Sequence, residues 1–293
     1  MRENKVVYGL IGYGGMGRWH TEILSNVPEA VIGGIYDIKE EKREEAKEKG
    51  FFVYETEEAM LADPDIDVVL IATPNDCHKP IAIRAMHAGK NVISEKPVTL
   101  SSADLLEMEN AAKETGKLLT VHQNRRWDDD FLIIKKLVEE QKLGHVFRIE
   151  SRVHGSRGIP GDWRKEKVHG GGMVLDWGVH LLDQILYMYG DRKIETVYAS
   201  LTNVTNQEVD DGFTAILTFE GGTEVLVEVG TNNYISLPRW YVLGEDGTAV
   251  IRDWQLNGEI IRKTGMTEET VVPVKTAAGL TKTMAPRRED TIV

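Results

Sequence analysis

The most chemically specific stretch of this sequence is a glycine-rich loop near its start. Gly12, Gly14 and Gly17 have the spacing G-x-G-x-x-G and lie between the apolar run 6–11 and a segment with a helical pattern. In such a loop the first glycine allows a tight turn, the second lets the backbone approach a pyrophosphate, and the third lets helix and strand pack closely. The free N–H groups and the dipole at the helix start bind phosphate. We therefore predict a dinucleotide site formed by Gly12, Tyr13, Gly14, Gly15, Met16 and Gly17.

A carboxylate follows at the distance that this fingerprint requires. The second apolar run, 31–36, ends in Asp37, which comes 20 residues after Gly17. An aspartate there accepts hydrogen bonds from the 2′- and 3′-hydroxyls of a ribose and repels a 2′-phosphate. The sequence thus favours NAD as cofactor and leaves NADP possible. The alternative is a glycine-rich turn in an ordinary α/β domain with a solvated Asp37.

The motif Glu95-Lys96-Pro97 comes directly after the apolar run 91–94. Because ligands bind at the carboxyl ends of strands in open α/β sheets, we expect Lys96 to point toward a ligand crevice. Beside a nicotinamide, its ammonium can donate a hydrogen bond to a substrate hydroxyl and stabilise developing alkoxide charge. Taken alone, the motif also fits a solvated Glu–Lys pair in a loop.

Asp176 and His180 form a second candidate pair. They are four residues apart, so on a helix they share one face. His180 is a natural proton acceptor near neutral pH, and Asp176 can orient a substrate or tune the imidazole. The alternative is an ordinary ion pair on a helix surface.

Weaker signals come from three loops. The run His122-Gln123-Asn124-Arg125-Arg126-Trp127 and the pair Trp163-Arg164 can line a polar, hydroxyl-rich pocket, or they can simply pack at the surface. Thr73-Pro74-Asn75 is predicted to contact the cofactor, with Asn75 capping the next helix in either case. The eight histidines show no ligand spacing along the chain, so no metal site is predicted.

Two different patterns surround these residues. Up to residue 123, short and nearly continuous apolar runs alternate with helical patterns, as in a parallel sheet covered on both faces. Predicted strands are 6–11, 31–36, 68–72, 91–94 and 118–122, and predicted helices are 16–26, 40–49, 77–88 and 102–115. From residue 124 the pattern is a helix at 128–142, a strand at 145–153, a helix at 173–189, and then hairpins.

We therefore predict an α/β protein of two domains. Residues 1–123 form a doubly wound Rossmann domain that binds NAD(P). Residues 124–293 form an α+β domain for substrate binding and oligomerisation, with a largely antiparallel, open-faced sheet. An open sheet face often becomes a subunit interface, so a homodimer or homotetramer is expected through it.

Composition narrows the class of partner. The chain has 293 residues and a formal net charge of −12, which argues against nucleic acid or an anionic membrane as partner. A single cysteine, Cys77, excludes an internal disulfide and fits a reducing compartment. The N-terminal segment shows no signal-peptide pattern, and no apolar run reaches membrane-spanning length, so a cytoplasmic location is expected.

The glycine loop, Glu95-Lys96-Pro97 and Asp176-x-Gly178-x-His180 together resemble the Gfo/Idh/MocA family of oxidoreductases over nearly the whole chain. The resemblance implies an NAD(P)-dependent dehydrogenase acting on a CH–OH group of a sugar, inositol or related polyol. It also implies a catalytic set in which His180 takes the hydroxyl proton, Lys96 hydrogen-bonds the reacting oxygen and Asp176 positions the substrate.

The resemblance has further implications. It places Glu95, Lys96 and Trp163-Arg164 among the cofactor contacts, and Asn124 and Arg125 among the substrate contacts. The stretch 124–127 looks like the branch that includes scyllo-inositol dehydrogenases. Family members usually continue with a further strand and helix, so we expect a C-terminally shortened chain. Two alternatives use the same fold: an NAD-dependent, redox-neutral glycosidase, and a cofactor-sensing regulator, which has no need of a proton-transfer set.

Overall fold

The computed structural model describes residues 4–263, 271–276, 279–284 and 290–292. The chain divides into two compact units, of which the first contains residues 1–123 and 160–179. The second contains residues 124–159 and 180–293. The change of unit at 123/124 coincides with the predicted domain boundary, whereas the return of 160–179 to the first unit has no counterpart in the sequence pattern.

The first unit contains a parallel sheet of five strands in the order β2-β1-β3-β4-β5. These strands are β1 (Val6–Ile11), β2 (Ala30–Tyr36), β3 (Val68–Ile71), β4 (Asn91–Ser94) and β5 (Leu119–Val121). The accompanying helices are α1 (Gly15–Leu24), α2 (Glu40–Glu48), α3 (Glu57–Ala62), α4 (His78–His87) and α5 (Ser102–Thr115). The strand order reverses at β1, and the carboxyl ends beside that point are where ligands bind in such sheets.

Both faces of this sheet are covered, as its apolar strands predict. The adjacent residues Val69 and Leu70 belong to different buried clusters because neighbouring side chains of a strand point to opposite faces. Helix α5 begins where the Ser101 side chain accepts the Asp104 N–H and ends at Gly116, whose φ is 65°. Helix α3 was not predicted, since its six residues are too few for a clear apolar period.

The second unit contains a sheet of eight strands, and its order is β15-β12-β11-β10-β6-β9-β8-β7. Its elements are α6 (Asp129–Glu139), β6 (Val146–His154), α7 (Val179–Tyr189), β7 (Ile194–Thr202), β8 (Gly212–Phe219), β9 (Glu224–Gly230), β10 (Trp240–Gly244), β11 (Gly247–Ile251), β12 (Gly258–Arg262) and β15 (Asp290–Ile292). Only the β6–β9 pair is parallel among these pairings, so the predicted, largely antiparallel sheet is confirmed. Strands β13 (Val271–Thr276) and β14 (Gly279–Met284) form a separate hairpin.

Strand β7 lies at one edge of this sheet and is exposed along its whole length. Val197, Tyr198 and Leu201 are among its large exposed side chains. The homodimer or homotetramer expected from the open sheet face stays a prediction. Within the described ranges, every helix is too short or too polar to cross a membrane.

Candidate active site

The glycine loop joins β1 to α1 and leaves no room for side chains at two positions. Gly12 has a φ of +98°, and a Cβ there would lie 2.5 Å from the Ala72 carbonyl oxygen. A Cβ at Gly17 would lie 2.1 Å from the Gly12 carbonyl oxygen. Gly14 is the cap residue of α1 and offers no side-chain oxygen to the first-turn N–H groups, which suits them to a phosphate. The loop therefore fits a dinucleotide pyrophosphate.

Substituting alanine for Gly14 is expected to separate cofactor binding from folding. A Cβ at Gly14 meets nothing within 4 Å, so we expect a Tm within about 2 °C of the wild type. The methyl group would occupy space that the pyrophosphate needs, and NADH should bind at least about 10-fold more weakly. Isothermal titration of NADH measures this. Gly155→Ala, which also meets nothing within 4 Å but lies outside the loop, is the control, and equal affinities for the two variants would contradict the assignment.

Asp37 follows β2 and is tied to the glycine loop. Its Oδ2 accepts the N–H of Tyr13 at 2.7 Å, and its Oδ1 accepts the N–H of Lys39 at 2.8 Å. Arg43 donates to the Asp37 carbonyl oxygen at 2.8 Å. The carboxylate is thereby held beside the loop, where the fingerprint places the ribose-binding acid.

Lys96 follows β4 and meets a residue 80 positions further along the chain. Its Nζ donates to the carbonyl oxygen of Asp176 at 2.8 Å and to Oδ1 at 3.0 Å. Nε of Arg164 lies 3.3 Å from the same Oδ1. The Lys96–Pro97 peptide bond is cis. The structure thus brings together three residues that the sequence analysis assigned to separate motifs.

The charges in this cluster have a direct chemical use. Burial opposes ionisation of Asp176, but the charges of Lys96 and Arg164 outweigh burial and lower the pKa of its carboxyl group. Asp176 then fixes the ammonium, because its backbone carbonyl oxygen and its carboxylate oxygen Oδ1 accept two of the three N–H donors. The third donor can bond a substrate oxygen, which is the group that a developing alkoxide requires.

Asp176 lies in a π-helical turn, Val174–Gly178, that runs directly into α7. The single helix predicted over 173–189 is therefore divided at this point. Such turns occur frequently at functional sites. His180 is buried near the start of α7 and belongs to the second unit, so its shared face with Asp176 stays a prediction.

His78 is a site residue that the sequence analysis missed. Its Nδ1 lies 2.9 Å from the Pro97 carbonyl oxygen and its Nε2 lies 3.0 Å from the Thr73 carbonyl oxygen. This fully buried ring therefore ties the predicted cofactor turn Thr73-Pro74-Asn75 to the loop that carries Lys96. Its position next to that turn was the only signal in the sequence.

The predicted capping role of Asn75 is wrong. Asn75 begins a short 3₁₀ helix and makes no side-chain capping bond there. Its amide instead donates to the Gly170 carbonyl oxygen at 2.8 Å. That bond satisfies a buried polar group, which is why the side chain turns away from the helix start.

Glu95, predicted to contact cofactor, lies buried beside two histidines. Its Oε1 contacts Nε2 of His20 at 2.6 Å and Nδ1 of His122 at 3.1 Å. Its Oε2 accepts the backbone N–H of Lys96 at 3.2 Å. Burial opposes ionisation, but the hydrogen bonds from His122 and His20 outweigh it and lower the pKa of Glu95 to about 2. The carboxylate therefore stays charged at neutral pH and anchors the loop backbone.

The predicted substrate residues Asn124 and Arg125 lie in a 3₁₀ turn, Asn124–Trp127, of the second unit. Gln184 of α7 donates to the Arg125 carbonyl oxygen at 2.6 Å. Arg126 of the same turn donates twice to Asp183 of α7, at 2.7 and 2.6 Å. These bonds fix the turn to the helix that carries His180.

Helix α7 also contacts a buried cation, Arg239, which directly precedes β10. Arg239 donates to Oγ of Ser151 at 2.7 Å and to Oε1 of Gln184 at 3.3 Å. Its Nε lies 3.1 Å from Oδ2 of Asp130. Burial lowers the pKa of Arg239 to about 10, against the opposing charge of Asp130, so the guanidinium remains protonated at neutral pH.

Arg239→Met is expected to lower the free energy of unfolding by about 3 kcal/mol, because it leaves the buried Asp130 without its cation. Urea unfolding measures the change. Arg252→Met is the control, since Arg252 pairs with Glu259 at an exposed position and should contribute under about 1 kcal/mol. Equal effects of the two substitutions would contradict a structural role for the buried pair.

Comparison with known proteins extends the assignment. A family model described as "Oxidoreductase family, NAD-binding Rossmann fold" matches residues 6–123, and a "GFO/IDH/MocA C-terminal domain" model matches residues 131–250. A solved structure titled as an NAD-binding protein from Listeria innocua is 52% identical, with a TM-score of 0.95, and the match covers 99% of this chain and 84% of that one.

Two curated relatives bear on function. The uncharacterized oxidoreductase YdgJ of Escherichia coli (strain K12) is 36% identical over 184 residues, which are 62% of this chain and 53% of the relative. The scyllo-inositol 2-dehydrogenase (NADP(+)) IolW of Bacillus subtilis (strain 168) is 31% identical over 244 residues, which are 83% of this chain and 67% of the relative. The chain therefore spans between half and two thirds of the length of these relatives.

Proposed function

Since this chain belongs to the Gfo/Idh/MocA oxidoreductase family, we propose that it is an NAD(P)-dependent dehydrogenase acting on a secondary alcohol of a sugar, inositol or related polyol. The observation that carries the proposal is the ammonium of Lys96, held by Asp176 at 2.8 and 3.0 Å in the unit with the dinucleotide fold. The inositol dehydrogenase among the relatives supports the polyol class.

In the direction of oxidation, the carbinol carbon loses a hydride and the hydroxyl loses a proton. A bound nicotinamide supplies the hydride acceptor at C4. Lys96 donates its third N–H to the reacting oxygen and stabilises the charge that develops there. His180 takes the hydroxyl proton, and Asp176 keeps the ammonium in place and helps to position the substrate.

The remaining assignments follow from the same proposal. Residues 12–17 hold the pyrophosphate, and Asp37 holds the ribose hydroxyls and favours NAD over NADP. Asn124 and Arg125 bind substrate hydroxyls. The Arg125 guanidinium is held in a fixed orientation because Asp128 pairs with it at 2.9 Å and the Trp254 ring lies 5.4 Å from it.

The test is the absorbance of NADH or NADPH while the purified protein is offered either oxidised cofactor with a panel of inositols and aldoses. We expect absorbance to rise with NAD and one group of substrates. A flat trace from protein that binds cofactor would contradict the dehydrogenase. Release of free sugar from glycosides without NADH accumulation would identify the redox-neutral alternative instead.

A further inference from the structure

Three potential metal ligands converge in the first unit. Within the part of the chain that the structure describes, His20, Glu95 and His122 are the one group of three such side chains whose ligand atoms all lie within 4.8 Å of one another. Nε2 of His20 and Nδ1 of His122 point at the same oxygen, Oε1 of Glu95, from 2.6 and 3.1 Å. Spacing along the sequence hides this group, since Glu95 is 75 residues from His20 and 27 from His122.

The backbone holds each member of the group in place. Glu95 and His122 directly follow the paired strands β4 and β5, and the His122 N–H donates to the Ser94 carbonyl oxygen at 2.8 Å. His20 lies in α1, and its ring meets the His122 ring edge-on with 4.7 Å between centroids. Oε2 of Glu95 is oriented by the Lys96 N–H. The group is therefore assembled by the fold and is not a chance meeting of flexible surface side chains.

The donor set matches a particular class of ion. Two imidazole nitrogens and one carboxylate oxygen suit Zn²⁺ and related divalent transition metals, and three protein ligands leave a fourth position open. With metal–ligand bonds of about 2.0–2.1 Å, the ligand atoms of a tetrahedral site lie roughly 3.3 Å from one another. Nε2 of His20 and Oε1 of Glu95, now 2.6 Å apart, would therefore have to separate by less than about 1 Å. The His122 side chain is 27% exposed and gives the ion a route from solvent.

We propose that His20, Glu95 and His122 form a binding site for a divalent transition-metal ion of the Zn²⁺ type. When the ion binds Nε2 of His20 and Nδ1 of His122, each ring carries its single proton on its other nitrogen, so that two neutral imidazoles and a carboxylate are the ligands. Because Glu95 also orients the Lys96 backbone, the bound ion fastens α1 to the loop that carries the ammonium. The alternative is a triad held by hydrogen bonds alone.

The experiment is a titration of the whole, chelator-treated chain with ZnCl₂ in the absence of cofactor and substrate. We expect one Zn²⁺ per chain with a micromolar or lower Kd, and a Tm that rises by several degrees at saturating zinc. His122→Asn keeps a donor for Glu95 but removes an imidazole, and should weaken binding roughly 100-fold or more. His87→Asn, an exposed histidine of the same unit, is the matched control and should bind as the wild type does.

Absence of zinc binding by the wild type, or equal binding by wild type and His122→Asn, would overturn the proposal. Glu95→Gln, judged by the visible spectrum of bound Co²⁺, repeats the test if His122→Asn does not fold. Folding of each variant is checked by circular dichroism. Since no cofactor or substrate enters the titration, a failure here is separate from a failure of the proposed dehydrogenase.

Discussion

Replacing Lys96 by methionine is expected to lower kcat about 10³-fold while the protein still folds and binds cofactor. Loss of one donor to a developing oxyanion costs about 10²–10³ in rate, and Lys96 is the donor proposed for the reacting oxygen. The buried carboxylate of Asp176 keeps a cation because Arg164 lies 3.3 Å from it, so folding should survive. Steady-state rates with the best polyol, together with NADH titration, measure the two effects separately.

The chain offers a close control for this substitution. Lys79 also makes two hydrogen bonds, to Asp104 at 2.5 Å and to Glu107 at 2.8 Å, but both partners belong to α5 and neither is Asp176. Lys79→Met should leave kcat within about twofold. A Lys96→Met variant that retained more than about a tenth of wild-type kcat would remove Lys96 from the chemistry.

Asp37→Asn is expected to change the ratio of kcat/KM for NAD to that for NADP by about 100-fold in favour of NADP. A hydrogen bond to a charged group contributes about 1.5–3 kcal/mol, which corresponds to roughly 10–150-fold. The substitution removes that contribution for the ribose hydroxyls and also the repulsion of a 2′-phosphate. The wild type should prefer NAD, and kcat/KM measured with each cofactor tests both statements.

A control variant and a stability measurement show whether the change in cofactor preference comes from the Asp37 carboxylate. Asp63 accepts the N–H of Asp65 at 2.8 Å, as Asp37 accepts that of Lys39, so Asp63→Asn controls for the loss of a turn-forming carboxylate. The Tm of Asp37→Asn reports whether the bond to Tyr13 N–H is kept. Equal use of NAD and NADP by the wild type would contradict the role given to Asp37.

The local sequence pattern predicted the strands of the first unit well, but it did not predict which side chains contact one another. Strands such as β1 and β4 were predicted with their observed bounds, because a buried parallel strand is a continuous apolar run between turn residues. The bond between Lys96 and Asp176 was beyond such reasoning, since no local period links residues 80 positions apart.

The same limit explains the residues that were missed. Gln184 has the helical spacing of any core residue of α7, and only the structure shows that it donates to the Arg125 carbonyl oxygen. The π-helical turn at Val174–Gly178 has hydrogen bonds between residues five apart, one residue more than in an α-helix. It lies in an apolar segment whose sequence pattern is that of an ordinary helix. Arg239 reads as a surface residue, because an arginine is seldom buried without a partner.

The return of residues 160–179 to the first unit has a consequence for the growing polypeptide. During synthesis, all five strands of the parallel sheet precede Arg164 and Asp176, and domains generally fold as the ribosome releases them. The ribosome must therefore add 80 more residues after Lys96 before Asp176, the counter-ion of Lys96, has been synthesised. A nascent chain halted at residue 123 would carry the whole sheet and an ammonium without its carboxylate, so the site is completed later in translation than the sheet that supports it.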